Sequence, residues 1–319
     1  TDLCEYLGKK YGGFYPAAQT YLKPDGKKWI GVPLGAAGAM MVYRQSMLKA
    51  AGFDSFPKDT DSFMRMCKAL KEKGTPVGFA LGNATGDGLW CNWLLWAFGG
   101  KLVDKDNKVV IDSPETIKAL EYAKELYGYM IPGTLSWLDP NNNKAFLDGQ
   151  ISVTNNGISI YYATKNSPDP KVRELNPDVY HANYPIGPVG TATESHLFFN
   201  QMIMKYTKYP NAAKEFLRFM MEQEQFGAWL QGCGGYISHP LKAHESNPIW
   251  TVDPKHTPYR DALKNLRPAG YAGKLGYASA GAGADFIVVN MVAEAASGQR
   301  TPQEAAERAQ KRAERYYKV

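Results

Sequence analysis

The chain has 319 residues, 44% apolar and 21% charged, with 31 Gly, 20 Pro and 4 Cys. That length suits two domains, and the composition is that of a folded globular protein, which excludes disorder, collagen-like repeats and disulfide scaffolds. A net charge of +6 arises from 37 basic and 31 acidic residues, but they are dispersed, and nucleic-acid binding would call for a concentrated basic face. No apolar run approaches the ~20 residues of a membrane span. The sequence as given opens Thr1-Asp2-Leu3 without a signal-peptide pattern, as a mature or trimmed secreted protein would.

In chain order, Lys23-Pro24-Asp25-Gly26 is a turn leading into a strand at Trp29-Ile30-Gly31-Val32-Pro33. The small residues Gly35-Ala36-Ala37-Gly38 then precede a second strand, Met40-Met41-Val42-Tyr43. Two strands joined this way suit either a hinge crossing or an ordinary loop. A helix is expected over 61–73, with Phe63, Met66, Cys67 and Leu70 on one face and Gly74 as its stop. An aromatic-rich helix follows at 89–98. Ser113-Pro114-Glu115 opens another, with the stripe Ile117, Leu120, Ala123, Leu126 and Tyr127. One helix is expected over 211–230, and Thr301-Pro302-Gln303-Glu304 is a capping box that starts the last. Between the helices lie expected strands at 76–81, 109–111, 151–155 and 197–204. This alternation indicates α/β layering with mostly parallel pairing. The stretches 166–190 and 248–284, rich in Pro and Gly, read as surface loops. The basic residues within 300–318 alternate with glutamates and read as a solvated helix face.

Catalytic signatures are missing: there is no G-x-S-x-G elbow, no H-E-x-x-H and no phosphate-binding Gly-rich loop. The five histidines show no metal-binding spacing, and Cys4, Cys67, Cys91 and Cys233 form no CxxC pair, leaving one disulfide or four thiols open. No cofactor or metal is expected. Aromatics make up 13% of the chain, with 20 Tyr and 7 Trp. Such rings stack on the C–H faces of sugars, and a polar cleft matches the hydroxyls. Cores need the same residues, so clusters have to decide. Asp87 and Trp90 fall at a helix start, where unsatisfied N–H groups welcome polar ligands. A capping Asp and a core Trp are equally good readings. Asn155-Asn156-Gly157 ends a strand, where α/β ligands bind, or is a plain Asn-Gly turn. Gly232-Cys233-Gly234-Gly235-Tyr236 suits close approach to a ligand, or a helix stop.

Read together, the sequence resembles the family 1 extracellular solute-binding proteins, receptors of ABC importers for sugars. The matching pieces run in family order. They are Gly31-Val32-Pro33-Leu34, Met41-Val42-Tyr43-Arg44, Leu48-Lys49-Ala50-Ala51-Gly52, and Trp93-Leu94-Leu95-Trp96-Ala97-Phe98-Gly99-Gly100. Asp112-Ser113-Pro114-Glu115-Thr116, Ala145-Phe146-Leu147-Asp148-Gly149 and Asn211-Ala212-Ala213-Lys214-Glu215-Phe216-Leu217 follow. The tail from Ala295 to Ala305 is similar to that of maltose-binding proteins.

The resemblance implies two α/β lobes with mostly parallel sheets, joined by several crossings and closing on a ligand. It assigns 1–35 and 203–237 to the N-terminal lobe, 38–196 and 241–319 to the C-terminal lobe, and hinges near 35–38, 197–202 and 236–240. It further implies ligand contacts at Asp87, Trp90, Asn156, Ser159 and Asp285, a ligand-facing loop at 277–283, and Tyr236 at the hinge. The family pattern holds about a hundred residues before the point where this sequence starts, so the N-terminal lobe is expected to be incomplete. Maltose-type members carry a stacking Trp after the Asn-Gly turn, whereas Ile158-Ser159-Ile160 stands here, which moves stacking to Tyr161, Trp90 or Trp137. Ala37 stands where those members have a hinge acid.

The leading expectation is a non-catalytic, monomeric receptor outside the cytoplasmic membrane, periplasmic or extracellular. It would bind a sugar, oligosaccharide, polyol or glycerol phosphate and pass it to a membrane permease. The rival is a glycoside hydrolase with Asp87 and Asp285 as its two carboxylates.

Overall fold

The computed structural model describes residues 2–84, 86 and 88–318. The chain divides into two units, Thr1–Gly38 with His196–Pro268 and Ala39–Ser195 with Ala269–Val319. The described residues form strands β1 (Val32–Ala37), β2 (Met40–Arg44), β3 (Val153–Asn156), β4 (Val179–Ala182) and β5 (Leu197–Gln201).

In the first unit β1 and β5 pair antiparallel, Val32 opposite Gln201 and Ala37 opposite Leu197, with a register shift between Pro33 and Gly35. Pro33 brings no N–H to the ladder. Gly35 has φ +144°, and a Cβ there would lie 1.8 Å from the Ser238 carbonyl oxygen. Only glycine allows that approach, which lets the Ser238 N–H donate to the Ala36 carbonyl at 2.8 Å.

The single helix expected over 211–230 is two, Pro210–Met221 and Gln223–Gly232. Glu222 breaks them with an extended backbone, φ −66° and ψ 146°. Its carboxylate accepts from Lys10 Nζ at 2.7 Å, Tyr6 Oη at 3.0 Å, Arg218 Nη1 at 3.0 Å and Tyr11 Oη. Tyr11 Oη in turn accepts the Gln223 N–H at 3.1 Å. Burial opposes the charge on Glu222, but hydrogen bonds from Lys10, Tyr11 and Tyr6 outweigh it and hold the carboxyl at about 2. A network anchored more than 200 residues away in sequence thus overrides the helical periodicity.

Residues 241–268 pack with the first unit, where the sequence had suggested the other lobe. Leu241 bridges Phe14, and Trp250, Tyr259 and Leu263 are buried. The loop expected over 248–284 is therefore largely short helices, including Ile249–Val252, Ala262–Asn265 and Tyr277–Ala284. The stretch 236–240, expected as a crossing, also lies inside this unit. A buried polar cluster marks it: Tyr15 Oη hydrogen-bonds His239 Nε2 at 3.2 Å and donates to Glu245 at 3.1 Å.

In the second unit β2 is central, antiparallel to both β3 and β4, with Met41 opposite Asn155 and Ala182. The parallel pairing expected for the sheets is confined, among the described residues, to single bridges at Asp59–Ile186 and Val77–Met130. The strand expected over 76–81 gives a single parallel bridge at Val77, with isolated backbone hydrogen bonds from the Gly78 N–H to the Val153 carbonyl and from the Ser152 N–H to the Pro76 carbonyl, each at 2.9 Å. The helices match their local signals. Thr60–Glu72 is capped by Asp59, whose carboxylate accepts the Ser62 N–H at 2.8 Å, and Gly74 stops it at φ +76°. Ser113 caps Pro114–Gly128 through the Thr116 N–H at 3.2 Å, and Thr301 with Glu304 forms the capping box of Pro302–Ala313. These helices cover one core in which Phe63, Phe79, Trp90, Trp93 and Trp96 are buried. All four cysteines are free thiols.

Candidate functional site

At one end of the three-stranded sheet, β3 delivers Asn156 and the helix Ser159–Asn166 begins three residues later. The helix Asn141–Leu147 brings Asn142 and Asn143 against the same strand. Asn142 is buried and ties the two together, its amide donating to the Asn155 carbonyl at 3.0 Å and to Thr154 Oγ1 at 3.3 Å. Asn143, Asn156 and Ser159 then close a ring. Asn156 Nδ2 donates to Asn143 Oδ1, Asn143 Nδ2 to Ser159 Oγ at 3.5 Å, and Ser159 Oγ to Asn156 Oδ1 at 3.3 Å.

The register continues the polar row across the sheet. Asn156 stands opposite Met40, whose Sδ lies 3.9 Å from Asn183 Nδ2, and Asn183 donates to the buried Glu194 at 2.9 Å. Asn155 is fully buried with both side-chain amide atoms unpaired within the protein. The ring is amides and a hydroxyl, without formal charge, and each member both donates and accepts. The helix from Ser159 has no side-chain cap, so its first N–H groups add donors. Such a set matches ligand hydroxyls, which also both donate and accept. Among the described residues no cluster of His, Cys, Asp and Glu suits a metal ion.

Of the residues singled out from sequence, Asn156 and Ser159 meet here. Tyr161 is buried one turn into the helix, its ring edge-on to His181 at 5.7 Å. Asp87 lies outside the described residues. Trp90 is fully buried, packs on Phe79 at 5.5 Å, and donates its indole N–H to the Ala80 carbonyl at 2.8 Å. It is a core residue, because a helix start in this protein is also the floor of the core. Trp137 is half-buried over Gly78. Tyr236 is exposed in the first unit.

Asp285 does not join the Asn cluster. Arg312 pairs with its carboxylate at 3.0 Å and donates to its carbonyl at 2.6 Å. The loop expected over 277–283 is helix. Asn143, Asn183 and Glu194 were missed. The run Asn141-Asn142-Asn143 was a visible signal for the first, whereas Asn183 and Glu194 carry none outside the register of β4.

Residues 1–258 match the sequence profile of a family described as bacterial extracellular solute-binding protein. A protein of Deinococcus radiodurans named as an ABC transporter-binding protein is 24% identical over 63% of this chain and 49% of its own length. YcjN of Escherichia coli K12, named as an ABC transporter periplasmic-binding protein, is 24% identical over 75% of this chain and 54% of its own. The chain thus spans about half the length of the curated relatives it matches. Among solved structures, maltose-bound MalE3 of T. maritima superposes with a TM-score of 0.79 at 20% identity, over 98% of this chain and 78% of that one. A sugar transporter protein of Arthrobacter chlorophenolicus A6 with bound laminaribiose gives 0.78 at 20% identity, over 98% and 79%. At this identity the likeness establishes the fold.

Proposed function

The chain belongs to the bacterial extracellular solute-binding proteins, and from that membership we propose that it is the substrate-binding receptor of an ABC importer. It takes a sugar or related neutral polyhydroxylated solute and delivers it chemically unaltered to a membrane permease. Each of the two units is one lobe of the receptor, which works as a monomer in the periplasm or outside the cell. Among the described residues no helix is long and apolar enough to cross a membrane.

The observation that carries the reading is the ring of Asn143, Asn156 and Ser159 at the sheet end. Breaking hydrogen bonds among these three groups frees donors and acceptors in pairs, which is what an incoming diol supplies. The absence of formal charge in the ring favours neutral hydroxyls over anions such as glycerol phosphates. Tyr161 and Trp137 are the rings offered for C–H stacking, Tyr161 by way of a rotamer change. The hydrolase alternative loses support from Asp285, whose carboxylate is neutralised by Arg312.

A thermal-shift and calorimetry panel of monosaccharides, maltose, laminaribiose, polyols and glycerol phosphates tests the proposal, since ligands of the native state raise its melting temperature. A neutral sugar is expected to stabilise the protein, and to be recovered intact by chromatography. Stabilisation by none of them, or recovery of cleaved products, overturns the reading.

A further inference from the structure

A cleft lies between the penultimate helix (Ile287–Ala296) and the last helix (Pro302–Ala313). Its volume is about 460 Å³, and Asp285, Asn290, Glu294, Arg308, Lys311, Arg312 and Arg315 line it. The last helix buries Ala305, Ala306, Ala309 and Ala313. Residues 308, 311, 312 and 315 follow the three- and four-residue spacing that puts side chains on one helical face. Arg308, Lys311 and Arg312 lie on the last helix and Arg315 just past its end, so four cations converge on one wall of the cleft.

Compensation within the protein is partial. Glu294 accepts from Arg308 and pairs with Arg300 at 3.1 Å, and Asp285 pairs with Arg312 at 3.0 Å. Asn290 donates to the Asp285 carbonyl at 3.3 Å, which fixes that end of the cleft. Lys311 and Arg315 are exposed and make no ion pair among the described residues. The cleft therefore carries two uncompensated positive charges in a concave surface, where the field concentrates. Guanidinium groups match tetrahedral oxyanions through paired N–H donors, and the lysine adds a mobile third contact.

We propose that this cleft is a second binding site, specific for a compact phosphate-type dianion held by Lys311 and Arg315 against the Arg308 and Arg312 wall. It stands independently of which solute occupies the Asn143–Asn156–Ser159 ring, whose chemistry is uncharged.

The test is calorimetry of the whole chain with inorganic phosphate at pH 8 and low ionic strength, followed by the Lys311→Ala, Arg315→Ala double variant. Both side chains are exposed, so the fold is retained, which an unchanged melting temperature without ligand would verify. Saturable one-to-one binding is expected, weakened at least ~tenfold in the double variant. A control that removes the same charge elsewhere, Lys27→Ala with Lys28→Ala in the exposed turn of the first unit, is expected to leave affinity within about twofold. Absence of saturable binding overturns the proposal. So does an equal loss in the control pair, which would reduce the effect to net charge.

Discussion

The two units of this chain reach stability by different means. The second wraps a sheet and capped helices around one apolar and aromatic core, with Phe63, Phe79 and Trp90 fully or almost fully buried. The first has a two-stranded ribbon, its interior holds the titratable Tyr15, His239 and His244, and Glu222 with its four partners forms a network at its surface. It also leaves Met202, Met204, Phe216 and Phe219 about half exposed. Apolar burial is indifferent to pH, whereas buried imidazoles are not. The Asn143–Asn156–Ser159 ring sits in the second unit, away from His239, His244 and Glu222.

Acid should separate the units, and this is the largest effect expected. Burial, with His244 beside it, pushes His239 down to about 3, and burial pushes His244 down to about 4. An unfolded imidazole takes its proton near 6.5. Between these values the unfolded chain binds more protons, so stability is intact above about 6.5 and falls by several kcal/mol as the pH drops towards 4. Glu222 acts at the acid end, its contribution intact above the ordinary 4.5 and lost as pH falls towards 2. Hydrogen exchange at pH 7 and pH 4.5 should show protection lost in 1–38 and 196–268 and kept in 39–195. Uniform loss across the chain would mean that the two units unfold as one.

Two substitutions break the units one at a time. Trp90→Ala removes a fully buried indole and its hydrogen bond to Ala80, and should cost the second unit about 3–5 kcal/mol. Gly35→Ala forces a Cβ to 1.8 Å from a backbone oxygen, so the first unit must open or shift. Urea melts followed by exchange mass spectrometry would place each loss. If Trp90→Ala weakened solute binding without lowering stability, the indole would belong to the site after all.

Asn156→Ala sharpens the functional half of the comparison. Losing one amide that pairs with Asn143 and Ser159 should weaken solute binding by about tenfold, with Asn143→Ala similar. Asp285→Asn should leave neutral solute affinity unchanged, because that carboxylate faces Arg312. Calorimetry with the best sugar from the panel measures all three.

What could be read from the sequence follows the range of the interactions. The starts at Ser113 and Thr301 and the stop at Gly74 are set by residues three or four positions away, and they stand where their signals put them. The strand end at Asn156 was legible because an Asn-Gly turn after an apolar run marks it, whereas Asn156 and Ser159 as ligand contacts came from the family resemblance. The Glu222 break was not, since Tyr6, Lys10 and Tyr11 come from the other end of the unit. Nor was the Asp285–Arg312 pair, which needs two helices to be packed before it exists. The stretch 248–284 looked like loop because the buried Trp250, Tyr259 and Leu263 in its first half follow no single period. The Asn143 contact fell between these cases: its asparagine run is local, but its partner is a strand.

The smallest expected effect tests the claim that local caps support the second unit independently of the site. The Asp59 carboxylate accepts both the Ser62 N–H at 2.8 Å and the Ser62 hydroxyl at 2.9 Å, and these bonds hold its carboxyl below the usual range. Asp59→Ala should therefore cost about 1 kcal/mol, with Asp59→Ser recovering most of it. The helix it opens contributes Phe63, Met66, Cys67 and Leu70 to the core but no member of the Asn143–Asn156–Ser159 ring. A chemical denaturation midpoint that shifts while sugar affinity stays constant is the expected pair of results. A parallel fall in affinity would mean that the ring is positioned by the whole unit rather than by β3 and the helices beside it.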